Sequence, residues 1–263
     1  GAKLPTSAAE AVDFLEALGA RVEPPPPAAQ ADDDVAADAA AGADGGGVSG
    51  SGWEALAGGD EIRRQVEEAV LFPLTHPAAF QAILAATRAD VAGGGSAASR
   101  RTALLFHGPP GTGKTSAARI AAREARLPLV YAPLEALISK WYGQGEQQLS
   151  ALFAGCEPLG PALLLLDEID ALATSRDKEM HEASRRMLSV LLRRMDGLDA
   201  AATTSLVAAT NRPQDLDPAL LSRFDVRVAF PLPDAAARAS IIGRYARQLD
   251  AEGRAAVAAA ADG

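Results

Sequence analysis

The stretch Gly108-Pro-Pro-Gly-Thr-Gly-Lys-Thr115 constrains the fold of this chain more than any other. It follows the apolar run Ala103-Leu-Leu-Phe106 and precedes a helical pattern over 114–125, so its glycines sit at a strand-to-helix turn. Glycine lets the backbone wrap closely around an anion, and the exposed amides at a helix start favour negative charge. The pattern is that of a P-loop for a nucleoside triphosphate. Pro110, Gly111, Thr112, Gly113 and Ser116 would line the phosphates, Lys114 would reach the β- and γ-phosphates, and the Thr115 hydroxyl would ligate Mg²⁺. The plain alternative is a Gly/Pro turn before a helix, and the full match in this context leaves it little room.

Short apolar runs alternate with helical patterns from this point on. Strands are expected at 102–106, 128–131, 162–166, 205–209 and 226–230. Helices are expected at 114–125, 146–154, 181–195 and 216–221, with a helical turn at 133–138. Strands without polar alternation are buried on both faces, so the pattern predicts a parallel sheet covered by helices on each side. This is the three-layer α/β sandwich of a P-loop NTPase. Upstream, 60–72 and 77–89 read as helices, with Asp60 a candidate cap and Pro73 a stop.

Leu163-Leu-Leu-Leu-Asp-Glu168 ends a buried strand in two acids, at the carboxyl edge where α/β sheets bind ligands. Asp167 would hold the hydrated Mg²⁺, and Glu168 would orient and deprotonate the attacking water. Alone, such a pair is as readily a strand end; beside a P-loop the chemical reading prevails. Asn211 ends the next apolar strand and would hydrogen-bond the γ-phosphate or the water, a turn asparagine being the alternative. Arg223 carries a planar charged fork suited to phosphate oxygens and would act on the nucleotide of a neighbouring subunit as an arginine finger.

The N-terminal stretch differs in kind. Residues 7–19 place Val12, Leu15 and Leu18 at helical spacing, with Phe14 beside them and Gly19 as a stop. Residues 1–20 therefore read as a short amphipathic helix that docks or recruits a partner. Pro24–Pro27, an Asp/Ala segment and a Gly/Ser run give 21–52 the composition of a disordered linker. The net charge of −9 argues against a general affinity for nucleic acid, and none is expected as a partner. No apolar run approaches the roughly 20 residues that span a bilayer, so no transmembrane segment is expected in this chain.

Cys156 is the only cysteine, which excludes an internal disulfide and fits a reducing, intracellular compartment, cytoplasmic or organellar. Gly1 stands first, which is compatible with a targeting peptide already removed. His181 has no second His or Cys nearby and is expected in a loop, or lining the pore that the resemblance given below implies, rather than on a metal. Arg185, Arg186, Arg193 and Arg194 recur at helical spacing and are expected to face solvent, a neighbour, or the pore that the resemblance given below implies. Lys140, Trp141, Tyr142 and Gly143 form a polar loop with two adjacent aromatics, in a chain with two tryptophans and three tyrosines.

Taken in order, these motifs resemble those of an AAA+ ATPase of the meiotic clade, which contains katanin, spastin and the outer-mitochondrial-membrane protein-extraction ATPase. The resemblance covers 53–263. The stretch 53–80 is similar to the family's opening segment, which implies that Gly58, Gly59 and Ile62 border the adenine. Residues 163–172 look like Walker B, 208–225 like sensor 1 with the second region of homology, and Asp196-Gly197-Leu198 like the inter-subunit signalling stretch. His181 to Gly197 is especially similar to this clade.

The resemblance implies a homo-oligomeric ring, a hexamer, that hydrolyses ATP and threads a protein substrate through its centre. Lys140, Trp141, Tyr142 and Gly143 would be the gripping pore loop, with Trp141 leading. Two departures stand out. Many relatives carry a second arginine three residues after the finger; here that position is Val226, and Arg227 comes one step late. The helical lid begins at 233 and looks truncated at 263. The implied division is a nucleotide-binding domain over 53–232 and a partial lid over 233–263. A cytoskeleton-severing relative needs a tubulin-recognition region that 1–52 does not display. A nucleotide-dependent scaffold with little turnover would be marked by loss of Lys114, Asp167, Glu168 or Arg223, and all four are present.

Overall fold

The computed structural model describes residues 4–26, 53, 56, 59–72, 79, 103–135, 137, 145–172, 178–196, 204–235, 237, 238, 241, 242 and 253. The apolar runs become five parallel strands: β2 (Ala103–His107), β3 (Leu129–Pro133), β4 (Ala162–Asp167), β5 (Thr204–Thr210) and β6 (Val226–Ala229). A sixth strand, β1 (Arg21–Glu23), precedes them in the chain, and the sheet order is β1-β3-β4-β5-β2-β6. Every residue of β5 is buried, as a central strand covered on both faces requires.

Alternating side chains divide the sheet's two faces between two cores. Leu104, Phe106, Leu163, Leu165 and Val207 meet α2 (Gly59–Val66) and α3 (Lys114–Glu124), along with Trp53. Leu105, Val130, Leu164, Leu166 and Leu206 meet the other layer. That layer holds α1 (Ala8–Leu18), α4 (Gly145–Cys156), α5 (Lys178–Asp196) and α6 (Pro218–Leu221). The three-layer sandwich expected from the sequence is therefore the observed fold. Five widened residues, Glu67–Leu71, continue α2 as a π-helical turn that carries Ala69 and Val70 into the core.

The N-terminal stretch departs from expectation after its helix. Helix α1 forms as read: Ser7 caps it by accepting from the Glu10 N–H, and Gly19 ends it at φ 103. Ala11, Leu15 and Leu18 are buried, and α1 lies so close to α4 that a Cβ at Gly155 would stand 2.8 Å from Leu15 Cδ2. Residues 21–23 are not linker. They pair antiparallel with β3, Arg21 opposite Tyr131 and Glu23 opposite Leu129. Glu23 also accepts from Arg119 Nε of α3 at 2.9 Å. One short segment thus closes the sheet edge and touches both helical layers. The remainder of 27–52 lies outside the described residues.

At the other end, Asp234 caps a new helical segment by accepting from the Ala237 N–H at 2.7 Å. Ala235, Ala237, Arg238, Ile241 and Ile242 are helical. Of the helix read at 77–89, only Ala79 is described, and it is helical.

Candidate nucleotide site

Strands β2, β4 and β5 are parallel and adjacent, so their carboxyl ends share one edge with β5 in the middle. That order brings three motifs distant in sequence to one place: the loop after β2, the acids ending β4 and Asn211 just past β5.

The loop after β2 is shaped by close backbone approaches. A Cβ at Gly108 would stand 2.1 Å from the Phe230 carbonyl oxygen. Gly113 caps α3 at φ 93, where a side chain is strained, and its absent Cβ would meet Leu56 Cδ2 at 2.3 Å. No side chain caps α3, so its first-turn amides remain available to an anion. Thr112 pins the loop internally, its hydroxyl donating to the Pro109 carbonyl at 2.9 Å. Lys114 is 7% exposed and folds inward, its Nζ donating to the carbonyls of Gly108 (2.8 Å) and Pro109 (2.7 Å). Burial lowers its pKa, against the opposing pull of Asp167 and Asp170. Pro110, Gly111 and Ser116 are exposed along the same loop and helix start.

Thr115 links the loop to the acids, its hydroxyl donating to Asp167 Oδ2 at 2.8 Å. The next residue, Glu168, has φ 57, a left-handed conformation in which non-glycine residues are strained. Its N–H donates to Asp167 Oδ1 at 2.9 Å, and its side chain is exposed. Partial desolvation at the sheet edge comes first in raising the Glu168 pKa above the ordinary carboxylate value, and the charge of Asp167 comes next. Glu135, in the turn after β3, adds its charge and a side-chain hydrogen bond in the same direction. The sequence reading passed over Glu135, because nothing in Leu134-Glu135-Ala136 marks it as facing β4.

Asn211 follows Thr210 at the end of β5, and the Gly108 N–H donates to the Thr210 carbonyl at 3.4 Å, joining that strand end to the P-loop. Arg223 is set apart from this cluster. Its guanidinium donates to both carboxylate oxygens of Asp196 at 2.6 and 3.2 Å, at the end of α5, and to Ser222 Oγ at 3.1 Å. Arg227 lies in β6, exposed, and donates to the Leu221 carbonyl at 2.8 Å.

Gly59 opens α2, and Ile62 is buried with Trp53, Leu56 and Val66. Leu56 was missed from sequence, although it directly precedes Ala57-Gly58-Gly59 and is the residue that reaches Gly113. Gly58 and the loop residues Lys140, Trp141, Tyr142 and Gly143 lie outside the described residues. Among the described residues no group of three or more His, Cys, Asp or Glu side chains could hold a metal by itself. Among them, too, no helix is long and apolar enough to cross a membrane.

A strand-loop-helix anion cradle, with a hydroxyl touching the acid of a second strand, defines a P-loop nucleotide-binding α/β domain. Residues 104–232 match the family "ATPase family associated with various cellular activities (AAA)". The chain accordingly carries an AAA ATPase domain, of the clade that includes spastin. It is 36% identical over 194 residues to spastin of Naegleria gruberi, covering 72% of this chain and 34% of the relative. It is 38% identical over 192 residues to the ATPase family AAA domain-containing protein FIGL1 of Arabidopsis thaliana, covering 72% of this chain and 26% of that protein. The chain thus spans about a third or less of these relatives' lengths. Among solved structures, it resembles the FIGL-1 AAA domain in complex with ADP, with TM-score 0.62 and 28% identity over 82% of this chain and 69% of that one.

Proposed function

We propose that this chain binds ATP with Mg²⁺ and hydrolyses it, within a homo-oligomeric ring, a hexamer, that remodels a protein substrate by drawing it through a central pore. The observation that carries the hydrolytic reading is the 2.8 Å contact of Thr115 with Asp167, which unites motifs far apart in sequence at one sheet edge. The pore reading is supported by the family resemblance and the residues Lys140, Trp141, Tyr142 and Gly143.

The Mg²⁺ that the family implies fits this site. Thr115 and Asp167 offer two hard oxygen donors side by side, and a small dication of this kind takes its remaining ligands from phosphate and water. When bound, such an ion supplies positive charge against the phosphates. The protein's own groups do the rest. The α3 amides and the Lys114 ammonium bind phosphate oxygens, which replace the loop carbonyls that Lys114 now serves. The Glu168 carboxylate, turned out of the strand by its backbone, accepts a proton from the attacking water. The Asn211 side-chain amide orients that water or the γ-phosphate, and Arg223 of a neighbouring copy adds charge from outside.

The test pairs two variants. Lys114→Ala is expected to lose nucleotide binding, and retained ATP affinity would remove the phosphate assignment. Glu168→Gln is expected to hold ATP without turnover and to accumulate as assembled rings; hydrolysis at the wild-type rate would overturn its role as base. Severing of a cytoskeletal polymer is the second reading, favoured by the similarity to spastin. The same Glu168→Gln protein, held with ATP, separates the two by whether tubulin or another protein stays bound.

A further inference from the structure

The hydroxyl of Thr210, the last residue of β5, is buried and doubly engaged. It donates to Asp170 Oδ1 at 2.8 Å and accepts from the Arg212 N–H at 3.0 Å. The residues on either side of Asn211 are therefore tied to one oxygen, which restrains the backbone turn that carries Asn211. Asp170 belongs to the 3₁₀ turn Ile169–Leu172, which starts directly after Glu168, and the Ala171 N–H of that turn donates to the Glu168 carbonyl at 2.9 Å. The 3₁₀ turn, closed by the Ala171–Glu168 backbone bond, thus links the Glu168 backbone to Asp170, whose carboxylate binds the hydroxyl that ties both flanks of Asn211.

We propose that Asp170 and Thr210 are positioning residues for the hydrolysis reaction, holding the Asn211 side chain and the Glu168 backbone in a fixed mutual register. This rests on the roles given to Asn211 and Glu168 above and deepens them, by naming the groups that keep sensor and base together. The chemistry of position 210 supports the assignment. The four preceding residues, Leu206-Val-Ala-Ala209, are apolar, and valine has nearly the shape of threonine. Valine would fill the same space and leave both the Asp170 carboxylate and the Arg212 N–H without this partner, a costly arrangement for groups facing a buried hydroxyl. A hydrogen bond to a carboxylate is charge-assisted and directional, so it restrains angle as well as distance. Reacting groups need such restraint, since displacement by about 1 Å can cost on the order of a hundredfold in rate.

The test is a double-mutant cycle on ATP turnover and ADP affinity in the full chain. Thr210→Val should lower kcat about tenfold or more while the Kd for ADP moves less than about twofold, and Thr210→Ser should restore most of the rate. In an Asn211→Ala background, Thr210→Val should cost clearly less than it does alone, because one of the two groups it positions is already gone. A full additive loss there would make the hydroxyl merely structural and overturn the proposal. Asp170→Ala attacks the same bond from its other end and serves if Thr210→Val does not fold; unchanged turnover in Asp170→Ala overturns the proposal as well. If Asn211→Ala alone leaves turnover intact, the sensor role itself fails and the proposal falls with it. If Asn211→Ala is slow while Thr210→Val and Asp170→Ala are not, only the positioning role fails.

Discussion

Glu168 shows how one residue bears a cost for its position. At φ 57 its side chain leaves the line of β4, so the carboxylate projects at the sheet edge beside Asp167. A non-glycine residue in that conformation is strained by about 1 kcal/mol or more. Its raised pKa adds to the burden: a carboxyl whose folded-state pKa lies above its unfolded value stabilises the fold when protonated, and that contribution is lost as pH rises through the folded value. Glycine at 168 relieves both effects. Glu168→Gly is therefore expected to raise Tm at neutral pH, with hydrolysis abolished, as thermal unfolding and phosphate release would show. A lower Tm would mean that the left-handed backbone is not strained. The same pKa shift sets the acid limb of activity. A base must be ionised, so single-turnover hydrolysis should fall as pH drops through a value above the ordinary 4.5 for a glutamate. An acid limb at or below that value would show that Glu168 is not the titrating base.

At the scale of elements, the N-terminal segment is the part of the molecule that its sequence least revealed. Helix α1 was legible, because Val12, Leu15 and Leu18 keep helical spacing between Ser7 and Gly19. Its destination was not. Strand β1 has only three residues, Arg21-Val-Glu23, too few for any periodicity, and its register is set by β3, more than a hundred residues later in the chain. Most of the parallel strands, by contrast, carry an apolar run between helical patterns, β6 with Arg227 between Val226 and Val228 being the exception, and the P-loop and paired acids could be placed at the ends of two of them. The Asp170–Thr210 bond stayed hidden for the reason β1 did: it joins residues that only the sheet order brings together.

The packing of α1 makes its role measurable. Leu15 has 0% exposure and sits against Gly155 of α4, while Glu23 of the next strand pairs with Arg119. That ion pair is about a third exposed on each side and adds little by itself. The apolar contact carries the docking, so Leu15→Ala is expected to cost about 2–5 kcal/mol in a denaturant titration. A change below about 0.5 kcal/mol would mean that α1 is not a stable part of the core.

On the scale of the whole molecule, the position of Arg223 bears on assembly. Within this chain it is held by Asp196 and Ser222, and none of its hydrogen bonds reaches Lys114, Thr115, Asp167 or Glu168. The Arg223–Asp196 pair is exposed, with 40% and 53% of the two side chains accessible, so releasing the guanidinium costs little. A second copy presenting its P-loop to this surface would therefore meet an arginine that can be transferred to a phosphate at small expense. The expected consequence is complementation. Arg223→Ala protein keeps its own nucleotide site intact but supplies no arginine, whereas Glu168→Gln protein supplies an arginine but has no base. Neither should turn over alone. In a mixture, an Arg223→Ala subunit whose site is served by a Glu168→Gln neighbour has both groups, so activity should reappear and peak near equal proportions. Titrating one variant into the other while following phosphate release reads this directly, provided the subunits exchange, which a fluorescence energy-transfer signal between labelled copies confirms. Exchange without any recovered turnover would show that Arg223 does not act across a subunit boundary, and would confine its role to the contact with Asp196.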